Sequence, residues 1–144
     1  MAKFEQSVVV HRPVEVVFSY LANPENDPYW SGASDEMHIT SPRPVRVGTT
    51  VRQVGHFLGR RLELSLNVTA YEPNRRFGMS VVSGPLKFAG VRHVEPVPEG
   101  TLVTFHGGGD SRGLFKIAEP LAEAAAARQL RHDLAKLKDV LEAS

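Results

Sequence analysis

The chain has 144 residues, with 17 Lys and Arg against 16 Asp and Glu for a formal net charge of +1. Hydrophobic residues make up 42%, enough for a buried core and too many for a disordered chain, and the near balance of charge gives no general attraction to nucleic acid or a membrane surface. There is no cysteine, which excludes disulfides and thiolate metal sites and fits a reducing cytoplasm.

The N-terminal stretch is too short in apolar residues for a signal peptide, and no stretch is long enough to span a bilayer. A single cytoplasmic domain over residues 1–144 is the expectation. Phe4 to Val10 reads as the first strand. Pro13 then opens a helix to Ala22, with Val14, Val17, Phe18 and Leu21 at helical spacing. Proline suits a first turn because its missing N–H would have no partner there. Asn23-Pro24 ends the helix, and a short polar piece leads to Tyr29 and to Trp30, the only tryptophan.

Asp35 to Thr40 is a weak second strand, and Ser41-Pro42-Arg43-Pro44 is a loop, since prolines do not sit inside a central strand. A third strand runs from Gly48 to about Phe57, and Leu58-Gly59-Arg60 turns. In the fourth, Leu62, Leu64, Leu66, Val68 and Ala70 alternate with polar residues, so one face is buried and the other wet. Phe77, Met79 and Val81 alternate in the fifth, Leu86 to Glu95 is the sixth, and Thr101 to His106 the seventh. From about Arg112 to Glu142 the pattern is helical. Leu130, Leu134, Leu137 and Leu141 form one stripe and Leu114, Ile117, Ala118 and Leu121 another. The two stripes are about half a turn out of phase at ~100° per residue, and Pro120 between them kinks or breaks the helix. Strands joined by short turns pair antiparallel. Only the last helix is long enough to cover the dry face of such a sheet. The class is therefore α+β.

With that layout, the chain resembles the START-like, SRPBCC helix-grip superfamily, and within it the bacterial branch of polyketide cyclase/dehydrase-like and lipid-transport-like proteins. The resemblance rests on Pro13 to Phe18 with Asn23-Pro24 and Trp30, on Val47-Gly48-Thr49, on Tyr71 to Arg75, on Glu95 to Thr101, and on Pro120-Leu121 with Leu137 to Glu142. It implies a Bet v 1-like fold, with two short helices after the first strand and a seven-stranded curved antiparallel sheet wrapped around the long C-terminal helix. It also implies an elongated cavity between sheet and helix. Members are carriers and receptors of apolar ligands, aromatase/cyclase enzymes, and interaction modules related to chaperone activators, so the site must be argued on its own residues.

Alternation puts Phe57, Leu62, Leu64, Leu66, Met79, Val81, Phe88, Val103 and Phe105 on the inward face, opposite Leu114, Ile117, Ala118 and Leu121 of the helix. These residues fill a solid core or line a cavity. The run Ala124 to Ala127, with Ala125 within it, favours a cavity because four small side chains leave space that leucines would fill, although alanine also simply favours helix. Trp30 forms the cavity mouth or anchors the short helices, and Tyr20 and Tyr29 offer the same choice. Arg92 shares the parity of Phe88 and Val94. Pointing inward, it needs an anionic or polar partner and could read a ligand carboxylate or polyketide oxygen; on an edge strand it reaches solvent. Gln53, with the parity of Val51 and Phe57, is a second polar candidate.

Six histidines show no HxH or HxxxH spacing, so no metal site is expected. Gly107-Gly108-Gly109 lacks the Lys-Ser/Thr of a phosphate loop and reads as a hinge between strand and helix. In Gly109-Asp110-Ser111 the polar residues read as helix N-caps rather than a nucleophile. Arg60-Arg61 and Arg75-Arg76 lie at turns as solvated charges. No cofactor is implied, and the expected partner is a small apolar or amphipathic ligand, with no nucleic acid and no stable membrane insertion. The chain is then a carrier or sensor of a lipid- or polyketide-like molecule, a cyclase or dehydratase on a polyketide-like substrate, or a protein-interaction module.

Overall fold

A computed structural model describes the backbone of residues 2–57, 59–110 and 119–143. Seven strands, β1 (Ala2–Val10), β2 (Ser34–Ile39), β3 (Thr50–Phe57), β4 (Arg60–Glu72), β5 (Arg76–Ser83), β6 (Lys87–Val97) and β7 (Gly100–Asp110), form one sheet. Their spatial order is β1-β7-β6-β5-β4-β3-β2, with every neighbouring pair antiparallel. Between β1 and β2 lie helix α1 (Val14–Leu21) and a 3-10 helix, Pro24–Tyr29. Helix α2 (Glu119–Glu142) ends the chain. This is the helix-grip architecture that the resemblance implied.

Local chemistry accounts for the short helices. Pro13 caps α1 in an extended conformation, and its carbonyl accepts from Val16 N and Val17 N at 3.1 Å each. The helix buries Val17, Phe18 and Leu21. The Asn23 side chain accepts from Glu25 N at 3.1 Å, which opens the 3-10 helix and turns Asp27 inward. In β4 the alternation holds: Leu64, Leu66 and Val68 are buried, while Arg61, Glu63, Ser65 and Thr69 are exposed.

Both sheet edges are covered. Along β1, Lys3 N donates to Glu123 at 3.2 Å and the Val9 carbonyl accepts from Lys138 Nζ at 2.9 Å. Just beyond the strand, His11 N donates to Glu142 at 2.8 Å. Side chains of α2 thus satisfy the outward backbone groups of an edge strand. At the far edge, Ile39 N of β2 donates to Glu25 of the 3-10 helix at 3.1 Å.

One expectation changes. The triple glycine is not a hinge: Gly107, Gly108 and Gly109 lie inside β7 and pair with both β1 and β6. The physical reason is close approach. A Cβ at Gly107 would run into Ala89 O, the Gly90 backbone and Phe4, and one at Gly109 would stand 2.6 Å from Lys87 O. Helix α2 is described from Glu119, and the stretch before it, which the expected kink at Pro120 would join to the rest of the helix, lies outside the described residues. Leu114, Ile117 and Ala118 lie outside the described residues, as do the side chains of Phe57 and Leu121.

On the outer face His93 of β6 and His106 of β7 stack with ring centroids 4.7 Å apart and Nε2 atoms 2.6 Å apart, within hydrogen-bond distance. Burial, then His106 and Arg76, push the His93 imidazole below its ordinary value, against Glu72 and Glu5. A histidine depressed in the folded state takes up its proton more readily when unfolded, so stability is full above about pH 6.5 and falls as pH drops below that.

We expect Gly107→Ala to destabilise the protein by about 1–3 kcal/mol or more through overpacking, with Gly78→Ala, whose Cβ would meet Thr69 Oγ1 at 3.1 Å, less severe; denaturant titration measures both. We also expect the melting temperature to fall between about pH 7.5 and pH 5.5, and His106→Gln, which keeps a hydrogen-bonding partner without a second imidazole beside His93, to flatten that fall.

Candidate ligand cavity between the sheet and helix α2

Buried side chains form two clusters. One joins α1, Trp30, Val68, Phe77, Val103 and Phe105 to Leu134, Leu137 and Leu141 of α2. The other holds Met37, Val51, Leu64, Leu66 and Val81. Members of both face a hollow of about 330 Å3 between the sheet and α2. Its apolar wall includes Phe4, Trp30, Met37, Leu62, Leu64, Leu66, Phe77, Met79, Leu86, Phe88, Val91 and Phe105. Helix α2 contributes Glu123, Ala126, Gln129, Leu130 and Asp133, one helical face at spacings of three and four.

The expected residues sort against this wall. Trp30, Gln53, Leu64, Leu66, Met79, Phe88, Arg92 and Phe105 are on it. Val81 is buried in the adjoining cluster instead. In the alanine run it is Ala126, not Ala125, that reaches the hollow, because Ala125 stands about 100° away around the helix. Leu114 and Ala118, and the side chains of Phe57 and Leu121, lie outside the described residues. Trp30 is 3% exposed, so it is a wall and a core anchor rather than a mouth. Tyr29 is 63% exposed and takes no part.

Arg92 decides the electrostatics. Strand β6 lies inside the sheet, so Arg92 has no edge from which to reach solvent. The partner that a buried arginine requires comes from the chain itself. Its two terminal nitrogens donate to Asp27 Oδ1 at 3.0 Å and Oδ2 at 2.5 Å, and one donates to the Leu21 carbonyl at 2.8 Å. The guanidinium carbon lies 5.1 Å from the Trp30 ring centre, 5.4 Å from Phe105 and 5.6 Å from Phe77. Burial pushes the Asp27 carboxyl above the ordinary aspartate value, and the Arg92 charge pulls against that. Arg92 is therefore neutralised and held in place. The Trp30 Nε1, also buried, has no acceptor among the described residues.

A polar strip crosses the wall nearby. Gln53 Nε2 donates to Ser34 Oγ at 3.0 Å, and Ser31 Oγ lies 3.3 Å from the same oxygen. Asp133 Oδ1 accepts from Gly32 N at 2.9 Å and from Gln129 Nε2 at 2.7 Å. These bonds tie the segment after Trp30 to α2. Burial raises the Asp133 carboxyl, and the bonds from Gly32, Gln129 and Ser31 oppose it. Asp27 and Asp133 were not expected. Asp133 carried a usable signal, since it stands three residues after Leu130 and four before Leu137, on the apolar stripe.

A family model described as polyketide cyclase/dehydrase and lipid transport matches residues 1–142. The chain belongs to that family. A START superfamily protein from Mycobacterium smegmatis superposes with a TM-score of 0.84 at 16% identity, covering 99% of this chain and 98% of the other. The Zhui aromatase/cyclase from Streptomyces sp. R1128 gives 0.77 at 16% identity, covering 97% and 93%. TTHA0849 from Thermus thermophilus gives 0.80 at 17%, covering 99% and 97%. At these identities the likeness is one of fold. No curated protein matches the chain. Among the described residues no helix of this family member is long and apolar enough to cross a membrane.

Removing one member of the ion pair leaves a buried charge alone. We expect Asp27→Ala to cost about 3–5 kcal/mol, and the double change Asp27→Leu with Arg92→Met to cost less than that single change, as measured by chemical denaturation.

Proposed function

We propose that this single-domain protein binds a small apolar or amphipathic molecule, lipid- or polyketide-like, in the hollow between sheet and α2, and acts as a carrier or sensor in the cytoplasm. The observation that carries this reading is the wall itself. It is apolar over Leu64, Leu66, Met79, Phe88 and Phe105, and its one deeply set cation is already paired with Asp27. The volume falls at the lower end of small-molecule sites, and apolar burial supplies the affinity while a few polar groups set orientation. The absence of cysteine fits a cytoplasmic setting.

The cyclase or dehydratase reading has one observation in its favour. Burial raises the Asp133 carboxyl, so it can hold a proton to give to a substrate oxygen. Turnover of a polyketide-like substrate that disappears in Asp133→Asn while binding persists would favour it.

The sole tryptophan stands on the wall, so its fluorescence reports occupancy. We expect apolar probes to change Trp30 emission saturably, and native mass spectrometry of protein from its host to show a co-purifying small molecule. Ala126→Leu adds apolar volume on the face of α2 that meets the hollow without loss of helix propensity. It should weaken binding by about tenfold or more while leaving the melting temperature unchanged or higher. Unaltered affinity in that variant, or no emission change with any apolar probe, counts against the cavity as the binding site.

A further inference from the structure

Resting on that reading, we propose that the ligand carries a hydrogen-bond-donating polar end, a protonated amine or a hydroxyl, seated at Asp133 Oδ2, and that the hollow disfavours a carboxylate there. The inference comes from what each charged wall residue already touches. Arg92, the obvious reader of a ligand anion, has its fork closed on Asp27 and on the Leu21 carbonyl, and both residues of that pair are largely buried. Asp27 already balances its charge, so an incoming carboxylate would meet a neutralised pair rather than a free cation, and taking the bidentate place of Asp27 would leave that acid buried and unpaired.

Asp133 is in the opposite condition. It is 7% exposed, it faces the hollow, and its only described bonds come from neutral donors. Two of those go to Oδ1. Oδ2 has Ser31 Oγ alone, at 3.5 Å, and the same hydroxyl is 3.3 Å from Ser34 Oγ. One hydroxyl proton cannot serve both, and a contact of 3.5 Å is weak. A buried carboxyl oxygen with spare capacity, bonded to no lysine or arginine among the described residues and with only the His132 charge acting on it from nearby, calls for a donor from outside the chain. The lysines on the wall do not alter this. Lys3 and Lys87 are exposed and belong to the end where Lys3 N meets Glu123. Glu123 is ten residues before Asp133, about 15 Å along the helix.

The test compares three probes of matched chain at neutral pH, decylamine (donor only), decanol (donor and acceptor) and decanoate (acceptor only), by Trp30 fluorescence with calorimetry as a check. We expect the wild-type protein to bind the amine and the alcohol at least about tenfold more tightly than the acid. In Asp133→Asn the amide keeps the acceptor for Gly32 N and Gln129 and puts donors where Oδ2 was, so the ratio of amine to acid affinity should fall at least about tenfold. Decanoate binding as tightly as the other two, or a ratio unmoved by the variant, overturns the proposal and leaves cavity binding standing. Failure of all three probes to bind overturns both. The wild-type ranking decides the matter even where the variant does not fold.

Discussion

The pairing of Arg92 with Asp27 is the contact on which the rest of the arrangement depends. A guanidinium on an interior strand has to be met by an anion inside the protein, and the only described carboxylate bonded to it comes from the 3-10 helix. That requirement brings the segment after α1 across the concave face of the sheet. The same guanidinium holds the Leu21 carbonyl at the end of α1, and Trp30, Phe77 and Phe105 surround it. One residue therefore fixes the end of a helix, the path of a loop and the position of the only tryptophan. Apolar packing alone would leave all three free to slide, since burial is not directional.

The sheet gains from the same economy of contacts at its margins. Antiparallel strands in series leave two open edges, and each is closed here by a side chain from an element that also borders the hollow. Glu123, which accepts from β1, lines the hollow. Glu25, which accepts from β2, belongs to the 3-10 helix that carries Asp27. Closing the edges and framing the hollow are thus two effects of one placement of α2 and the 3-10 helix. The glycines of β7 belong to the same account, because β6 and Phe4 approach too closely for a side chain at Gly107.

Much of this was legible in the order of residues. Strict alternation in β4 announced which face would be buried, and Leu64 and Leu66 are where it put them. The leucines of α2 likewise announced its inner face. What alternation could not show was pairing across distance. Arg92 had the right parity, but Asp27 follows Asn23, Glu25 and Asn26 and precedes Pro28, and nothing local distinguishes it from a solvated turn residue. The triple glycine misled for a similar reason. Glycine's freedom suggests a hinge when read alone, whereas close neighbours from another strand demand it for lack of a side chain. Ala125 and Ala126 differ only in phase, which a run of identical residues hides.

Helix α2 shows why the fold can hold itself together and still leave room for a guest. A single face runs through Glu123, Ala126, Leu130, Asp133, Leu137 and Leu141 at spacings of three and four, with Leu134 beside it. Its C-terminal half is leucine and is fully packed: Leu134, Leu137 and Leu141 are 2%, 0% and 3% exposed. Its N-terminal half has the same geometry with smaller or polar residues, and there the hollow opens. The space is therefore written as a change of composition along one stripe rather than as a change of backbone. Stability rests on the half that meets α1 and β1, and the half that meets Trp30 and Gln53 is released from packing and borders the hollow. That division also accounts for a buried acid on an otherwise apolar face. Asp133 stands at the boundary, where Gly32 and Gln129 satisfy one oxygen and the other has only the Ser31 hydroxyl at 3.5 Å.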